Sequence, residues 1–309
     1  MPDIVVMFFI LGVVAGLVRS DLEIPKAAYD VLSLLLMLTI GLKGGMALHG
    51  NINTGLIAEL FFIMSLGIII PLAIFPVLRY AIGLSVTDSS SIAAHYGSVS
   101  AGTFAVALAY VEANQLISAP ESTIYLVLLE LPAIIVGLLL YRRFNRRSVK
   151  ISTQNLLHES FTNRGVILLL GGVIIGMMYG PQNASPVTNL FTGAFKGVLA
   201  LFLLEMGLTA AETLRPFPWK HWRVIIFALL APPALAWFGI GLGYALDLDT
   251  GSTVILASLT ASASYIAAPV AIKSSIPDAD IGLAMLCSLG ITFPFNVIVG
   301  IGLYHSWVI

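Results

Sequence analysis

Two apolar stretches of the sequence are interrupted by clusters of small and hydroxyl-bearing residues. Residues 94–103 read AHYGSVSAGT, and residues 259–269 read LTASASYIAAP. Gly97 and Gly102 lower helix stability in the first stretch, and Pro269 in the second lacks an amide donor. We therefore expect a broken helix in each stretch. Backbone groups freed in this way are tolerated at membrane depth only where protein or a water-filled site satisfies them.

Two broken helices that meet can bind a small anion. The N-terminus of a half-helix presents unpaired amides and partial positive charge, and nearby serine hydroxyls donate further hydrogen bonds. Neither motif contains Arg or Lys, so the pattern favours a small, weakly charged oxyanion. The alternative is that the small residues only allow helices to pack closely.

Several polar residues inside apolar segments need an energetic reason, because a carboxylate at the bilayer centre costs about 2.5–3.5 kcal/mol. Glu130, Glu205 and Asn296 carry oxygen atoms that suit a hard cation, and we expect them to bind sodium. Lys43 would then balance charge. The alternative is an internal Lys–Glu pair that holds helices together. Four charged residues lie nearer the segment ends and are expected to snorkel: Glu59, Glu112, Glu212 and Lys196.

These residues belong to a chain with the composition of a membrane protein. Of its 309 residues, 58% are apolar and 10% are charged, whereas soluble domains have about 25% charged residues. The net charge of −1 offers no basic surface to nucleic acid, and the single cysteine, Cys287, excludes an internal disulfide. Ten apolar segments predict an all-α polytopic membrane protein: 4–18, 30–48, 56–79, 91–112, 122–141, 165–180, 190–214, 222–246, 251–273 and 281–305.

The basic residues are distributed unevenly around these segments. Of 15 Lys and Arg residues, 13 lie at or after the ends of odd-numbered segments, and the other two lie inside segments. The positive-inside rule then predicts that the 142–164 loop is cytoplasmic and that both termini lie outside a bacterial plasma membrane. The start Met1-Pro2-Asp3 lacks a basic n-region, so we expect no cleavable signal.

The first five and the last five segments share short motifs. Residues 98–107 read SVSAGTFAVA and residues 262–271 read SASYIAAPVA, with four identities. Because each half has an odd number of segments, the halves would be inverted in the membrane, which is typical of transporters. The sequence therefore predicts a first five-helix repeat at 1–141, a cytoplasmic linker at 142–164 and a second, inverted repeat at 165–309.

Nearly the whole chain resembles the SbtA family of sodium-dependent bicarbonate transporters, on the stretches TIGLKGGMAL, YGSVSAGTFAVALAYVE, LELPAIIVGLLL, LFLLEMGLTAAE, ASASYIAAPVAIK and GITFPFNVIVGIGLY. This resemblance implies ten transmembrane helices in two inverted repeats. It also implies that broken helices 4 and 9 cross in a core domain beside a gate domain. Bicarbonate would then lie between the breaks, at Ser98, Ser100, Gly102, Thr103, Thr260, Ser262, Ser264 and Tyr265.

The same resemblance implies a homotrimer in lipid and a cytosolic PII-like regulator that closes the inward face. The 142–164 loop is shorter than is common in that family, which argues against the regulator, and its RRFNRR run is equally suited to anionic lipid. We expect a symporter that imports bicarbonate with sodium as the coupling ion and uses no organic cofactor.

Three other functions fit parts of the pattern. A sodium symporter for an organic acid would need a wider cavity than Tyr265 favours. A sodium/proton antiporter usually has a titrating carboxylate at the breaks, and neither motif contains one. A serine hydrolase would use His95 with Ser98 one turn away, but the sequence has no G-x-S-x-G elbow. We therefore expect a protein that is not an enzyme.

Overall fold

A computed structural model describes residues 3–50, 54–145, 164–215 and 219–309. Within these ranges the chain is helical and has no β-strand. Seven helical stretches in this part of the chain are long and apolar enough to cross a membrane. Residues 146–163, which are most of the predicted cytoplasmic linker, lie outside the described ranges. The all-α membrane class predicted from composition is therefore confirmed.

Eleven helices of the described ranges are numbered here in chain order. The first six are α1 (Ile4–Val18), α2 (Lys26–Leu48), α3 (Thr54–Pro76), α4 (Val86–Gly97), α5 (Ala101–Ala113) and α6 (Tyr125–Phe144). The other five are α7 (Arg164–Thr213), α8 (Trp222–Ala245), α9 (Thr250–Thr260), α10 (Ala267–Ser275) and α11 (Ile281–Val308). Short turns are also present: the π-helical Val77–Ile82 after α3, and the 3-10 turns Pro120–Thr123 and Trp219–His221.

Side-chain caps define where several of these helices begin. Oxygen atoms of Asp3, Ser85 and Asp280 each accept a hydrogen bond of 2.9 Å from a backbone amide in the first turn of α1, α4 and α11. Such caps satisfy amides that have no partner inside the helix. Polar residues between apolar runs therefore separate one long apolar segment from the next.

Helix α7 is interrupted at Gly180. This residue has a φ of 66°, a conformation that glycine adopts readily, and Pro181 follows it. The sequence predicted a longer gap, at 181–189, but the chain resumes a helix directly after the glycine because proline suits the first position of a helix. We call residues 164–179 α7a and residues 181–213 α7b.

Helices α1 and α2 pack mainly against α7, and we call these three helices the small bundle. A side chain at Gly41 of α2 would collide with the backbone of α7a at Leu169 and Gly172. In the same way, a side chain at Gly207 of α7b would collide with the backbone of α1 around Gly12. The small bundle is therefore held by close backbone contact of a kind that small residues permit.

The other helices form the large bundle. Helix α3 packs on α4 and α6, and α9 packs on both α8 and α5. The two bundles meet where α2 faces the turn Pro120–Thr123 and where α7 faces the π-helical segment Leu286–Thr292 of α11. Each bundle contains helices from both halves of the sequence. The packing units therefore differ from the sequence division at 1–141 and 165–309.

Candidate functional site

The first broken helix has its gap between α4 and α5. Helix α4 ends before Ser98, and α5 begins after Ser100. The Ser98 amide donates to the Ala94 carbonyl at 3.0 Å and completes α4. Ser100 Oγ accepts from the Thr103 amide at 3.0 Å and caps α5. The serines of the motif therefore form the gap and also stabilise the helix that follows it.

The second broken helix has its gap between α9 and α10, from Ala261 to Ile266. Ser264 Oγ accepts from the Ala268 amide at 3.2 Å, as Ser100 does for α5. The sequence suggested that Pro269 would break this helix. Pro269 instead lies in the first turn of α10, where an amide would have no partner inside the helix and its loss is tolerated. The break precedes the proline.

The two gaps are hydrogen-bonded to each other. The Ser100 amide donates to Ser262 Oγ at 2.9 Å, and the Ser264 amide donates to the His95 carbonyl at 2.7 Å. The second gap thus supplies an acceptor for an amide of the first gap, and the last turn of α4 supplies one for an amide of the second gap. This pairing brings the N-termini of α5 and α10 to one place, so that their partial positive charges add.

A cavity of about 410 Å³ lies at these two N-termini. From the large bundle it is lined by the gaps, at Ser100, Ser264 and Tyr265, and by Glu130 of α6. The opposite wall comes from the small bundle: Ser33, Leu34, Met37, Arg164, Gly165, Val166 and Leu169. The cavity therefore lies between the two bundles, and a movement of one against the other would change it.

Five hydroxyls of the first broken helix are buried without a hydrogen-bond partner among the described residues. Three lie within α4, on Ser89, Ser90 and Ser91, and the two beside the gap are Ser98 Oγ and Thr103 Oγ1. Ser262, which matches Ser98 in the second half, uses its hydroxyl on the Ser100 amide and on the Leu259 carbonyl at 2.7 Å. An unsatisfied buried hydroxyl points to a bound water or ion.

Five of the eight predicted substrate residues do not line the cavity: Ser98, Gly102, Thr103, Thr260 and Ser262. The Tyr265 hydroxyl fills the space beside Gly102, where an added side chain would collide with it. The Tyr265 ring packs edge-on against Phe293, with centroids 5.2 Å apart. Thr260 Oγ1 donates to the Ala257 carbonyl at 3.1 Å and so turns to its own helix. Of the eight predicted residues, Ser100, Ser264 and Tyr265 line the cavity.

Glu130 is the predicted sodium residue that lines the cavity. The two ion pairs of the described ranges are Lys43–Glu112 and Arg164–Asp30. No Lys or Arg in that part of the chain therefore pairs with Glu130. An acidic side chain that lacks a basic partner in a membrane segment is typical of an ion or proton site.

The other two predicted sodium residues have different surroundings. Glu205 on α7b accepts a hydrogen bond from Thr209 at 3.4 Å. Asn296 is fully buried in a π-helical turn of α11, where Nδ2 donates to the Ala261 carbonyl at 2.8 Å and Oδ1 accepts from the Tyr304 hydroxyl at 2.6 Å. Asn296 thus fixes the second gap, and neither residue belongs to the cavity wall. Nor does any group of three His, Cys, Asp or Glu in the described ranges form a metal cluster.

Lys43 pairs with Glu112, and its ammonium group also lies 4.9 Å from the ring centre of Phe195. Of the two interpretations of Lys43, the structure favours the pair that holds helices together. Glu112, which was expected to snorkel, takes part in that pair. Because Lys43 is on α2 and Glu112 is on α5, the pair joins the small bundle to the large bundle.

Sequence patterns missed two polar side chains of the cavity wall, those of Ser33 and Arg164. Ser33 is a single buried hydroxyl on an apolar helix, and Arg164 was assigned only to the cytoplasmic charge count. Arg164 donates to the Asp30 carboxylate at 2.5 Å. Asp30, Ser33 and Met37 are spaced three and four residues apart, so they share one face of α2. This stripe on one face of α2 was the sequence signal that could have identified that side of the cavity.

His95 and Ser98 do not form a catalytic pair. His95 Nδ1 lies 2.8 Å from the Ser91 carbonyl, and Nε2 has no partner among the described residues. Ser98 Oγ likewise has none. A serine nucleophile needs a base within hydrogen-bond reach, so this geometry gives no support to hydrolase chemistry.

A known protein family matches the part of the chain that contains the whole of this site. The family model described as the Na+-dependent bicarbonate transporter superfamily matches residues 4–309. No curated protein matches the chain. The matched range contains both gaps, Glu130 and every other residue of the cavity wall.

Proposed function

The chain belongs to the Na+-dependent bicarbonate transporter superfamily, and we propose that it imports bicarbonate together with sodium by alternating access. It is a transporter rather than an enzyme. One observation carries the proposal: two half-helix N-termini converge on a cavity that separates two helical bundles. Such an arrangement offers a binding site for an anion and two bodies that can move around it.

Bicarbonate would bind at the N-termini of α5 and α10. Ser100 and Ser264 line the cavity there, and the amides of the first turns supply further donors without a full positive charge. Tyr265 lines the cavity beside them. Ser98, Gly102, Thr103, Thr260 and Ser262 would shape this site from behind. A weakly bound oxyanion can be released again, as transport requires.

Sodium would bind beside the anion, and Glu130 is our first choice for a ligand because it shares the cavity with Ser100 and Ser264. Glu205 and Asn296 remain candidate sodium residues in this proposal, although neither lines the cavity. Asn296 would act through the second gap, whose Ala261 carbonyl it holds. Hydroxyl and carbonyl oxygens could complete the shell, since hard cations prefer oxygen ligands.

We propose ten crossings in two inverted repeats. Counting α4 with α5 and α9 with α10 as single crossings, and the two arms of α7 separately, gives ten. The glycine contacts support the inversion. Gly41 places α2 on α7a, and Gly207 places α7b on α1. The second helix of each half therefore packs on the first helix of the other half, as a two-fold relation requires. We also propose a homotrimer, which is based on the family resemblance alone.

The cavity and the Lys43–Glu112 pair lie toward opposite ends of the bundle interface. Arg164 and Ser33 line the cavity near the start of α2, and Lys43 lies 10 residues beyond Ser33, or about 15 Å along the helix. With the orientation predicted from the basic residues, the cavity opens to the cytoplasm. The ion pair would then help to close the outward side in this inward-facing conformation.

Replacing Lys43 with methionine is expected to favour the outward-open state. A partly exposed ion pair contributes about 0.2–1 kcal/mol, which corresponds to a population shift of about 1.4- to 5-fold. Val297 lines a small cavity of about 130 Å³ with Val106 and Ile301. A Val297→Cys reporter, labelled from outside with a membrane-impermeant thiol reagent, would measure the shift, because the native Cys287 is buried.

The matched control is Lys196→Met, which removes an exposed lysine from α7b. It should leave labelling unchanged, and Lys43→Arg should restore the wild-type rate. Equal labelling of wild type and Lys43→Met would show that the pair does not hold the outward side closed.

Charge balance favours coupling to sodium. Moving one negative charge into a negative interior costs about 2.3 kcal/mol per 100 mV. One sodium ion cancels that charge. A tenfold sodium gradient then supports about tenfold accumulation, since tenfold is about 1.4 kcal/mol.

Uptake of labelled inorganic carbon into proteoliposomes tests the function. At fixed total carbon, a higher pH raises bicarbonate and lowers carbon dioxide, so transport of bicarbonate should rise with pH and should stop without sodium. Control vesicles would lack protein. Uptake that follows carbon dioxide, or that ignores sodium with folded protein present, would reject the proposal.

The cavity volume supports one second candidate. A space of about 410 Å³ is within the usual range of about 300–1,000 Å³ for small-molecule sites. A small organic acid would therefore also fit. Competition assays would separate the two, because an organic-acid transporter would take up its labelled acid at a rate that bicarbonate barely reduces.

A further inference from the structure

A second cavity lies on the outer surface of the large bundle, away from the candidate site. It is a groove of about 410 Å³ between α3 with its π-helical turn and α8. Its wall includes Val77, Ile226 and Leu230, whose exposed fractions are 44%, 46% and 63%. In a membrane-spanning protein, an exposed apolar wall of this kind faces either lipid or another subunit.

The groove has one charged residue, Arg223, at the start of α8. Its guanidinium lies 5.4 Å from the ring centre of Trp222, and it takes part in neither of the ion pairs of the described ranges. Arg79, on the neighbouring turn, is already used, since it donates to the Leu84 carbonyl at 2.7 Å. Arg223 therefore offers its donors to an anion from outside the protein.

The dimensions of the groove match one leaflet of a bilayer. From Arg223 to Phe238 the wall follows α8 for 15 residues, or about 22 Å, which is half of a bilayer of about 40–45 Å that includes its headgroup regions. Trp222 beside Arg223 is a residue type that marks the membrane interface. A charged head at the interface and an apolar tail of one leaflet are the features of a phospholipid.

We propose that this groove binds an anionic phospholipid, with its phosphate on Arg223 and one acyl chain between α3 and α8. Charge complementarity selects this occupant, because a second copy of the chain would have to bury an unpaired arginine. The proposal needs only that the protein is in a membrane, so it does not depend on which anion is transported.

The bound lipid would touch a path that leads to the first gap. Phe227 belongs to the groove wall and packs against Tyr96, with ring centroids 5.0 Å apart. Tyr96 is on α4, and its hydroxyl is 2.6 Å from Thr292 Oγ1, which donates to the Ala228 carbonyl at 2.8 Å. Occupancy of the groove would therefore stabilise the position of α4, the helix that ends at the first gap.

Native mass spectrometry of the purified protein with phosphatidylglycerol or phosphatidylcholine tests the proposal. Wild type should retain phosphatidylglycerol about tenfold more tightly, and Arg223→Gln should lose that preference, because a charged hydrogen bond contributes about this factor. Leu230→Trp, which fills the groove, should lower binding of both lipids. Lys220→Gln, a change of charge nearby but outside the groove wall, should keep the preference.

Three results would overturn the proposal. An unchanged preference in Arg223→Gln, or an equal loss in Lys220→Gln, would show that lipid binding follows general surface charge. A disulfide between two copies carrying Leu230→Cys, formed in the membrane at high yield, would show that the groove is a subunit interface.

Discussion

Replacing Glu130 with glutamine is expected to raise the sodium concentration for half-maximal uptake by about 10- to 100-fold, the factor that a charged ligand contributes. The change keeps the shape of the side chain and removes its charge. Glu130 lines the cavity and has no basic partner in the described ranges, so its carboxylate is free to bind a cation. Sodium-activation curves for labelled carbon uptake would measure the effect.

Glu59→Gln is the matched control for this experiment. Glu59 also lies in an apolar helix, but it accepts a hydrogen bond from Tyr125 at 2.5 Å and is not part of the cavity wall. A glutamine oxygen can accept the same bond, so sodium activation should change less than about twofold. If Glu130→Gln kept the wild-type sodium curve, Glu130 would not be a sodium ligand, although the bicarbonate proposal would still stand.

Replacing Ser262 with alanine is expected to raise the half-maximal bicarbonate concentration about tenfold or more, because a buried amide left without a partner costs about 1–3 kcal/mol. Ser262 Oγ accepts from the Ser100 amide and so joins the two gaps. Without that bond, the N-terminus of α5 would lose its fixed position beside α10. Bicarbonate saturation curves at constant sodium would measure the change.

Ser258→Ala is the control for Ser262→Ala. Both serines are fully buried, but Ser258 Oγ donates to the Val254 carbonyl within α9 at 2.7 Å and does not contact the other gap. We expect its bicarbonate curve to match wild type. Equal effects of the two substitutions would mean that Ser262 acts through general stability, and unchanged kinetics in Ser262→Ala would reject the role of the link between the gaps.

Local composition was enough to find the two gaps. Glycine and serine density marked the interruption at Ser98 because these residues weaken a helix wherever they occur. Pro269 suggested the wrong position for the second break, because the effect of a proline depends on where it lies within a helix. Only the structure shows that α10 begins two residues before Pro269. The all-α class followed from composition in the same way.

Features that depend on packing between distant segments could not be found in this way. Lys43 and Glu112 are 69 residues apart, and no local pattern couples them. Ser33 became a candidate residue only when α2 was placed opposite the gaps. The contact of Asn296 with Ala261 depends on a π-helical turn in α11, which sequence periodicity does not reveal. The roles of these polar residues depend on distant segments of the chain that pack against their own helices.

The make-up of the small bundle has a consequence for how the protein is synthesised. Helix α2 ends at Leu48, and its partner α7 begins at Arg164, 116 residues later. A ribosome adding about 5–20 residues per second needs roughly 6–23 s for that distance. During this time α1 and α2 are in the bilayer, and the backbone beside Gly12 and Gly41 is exposed to lipid or to an insertion factor. The packing of the first two helices therefore cannot be completed until α7 has left the ribosome.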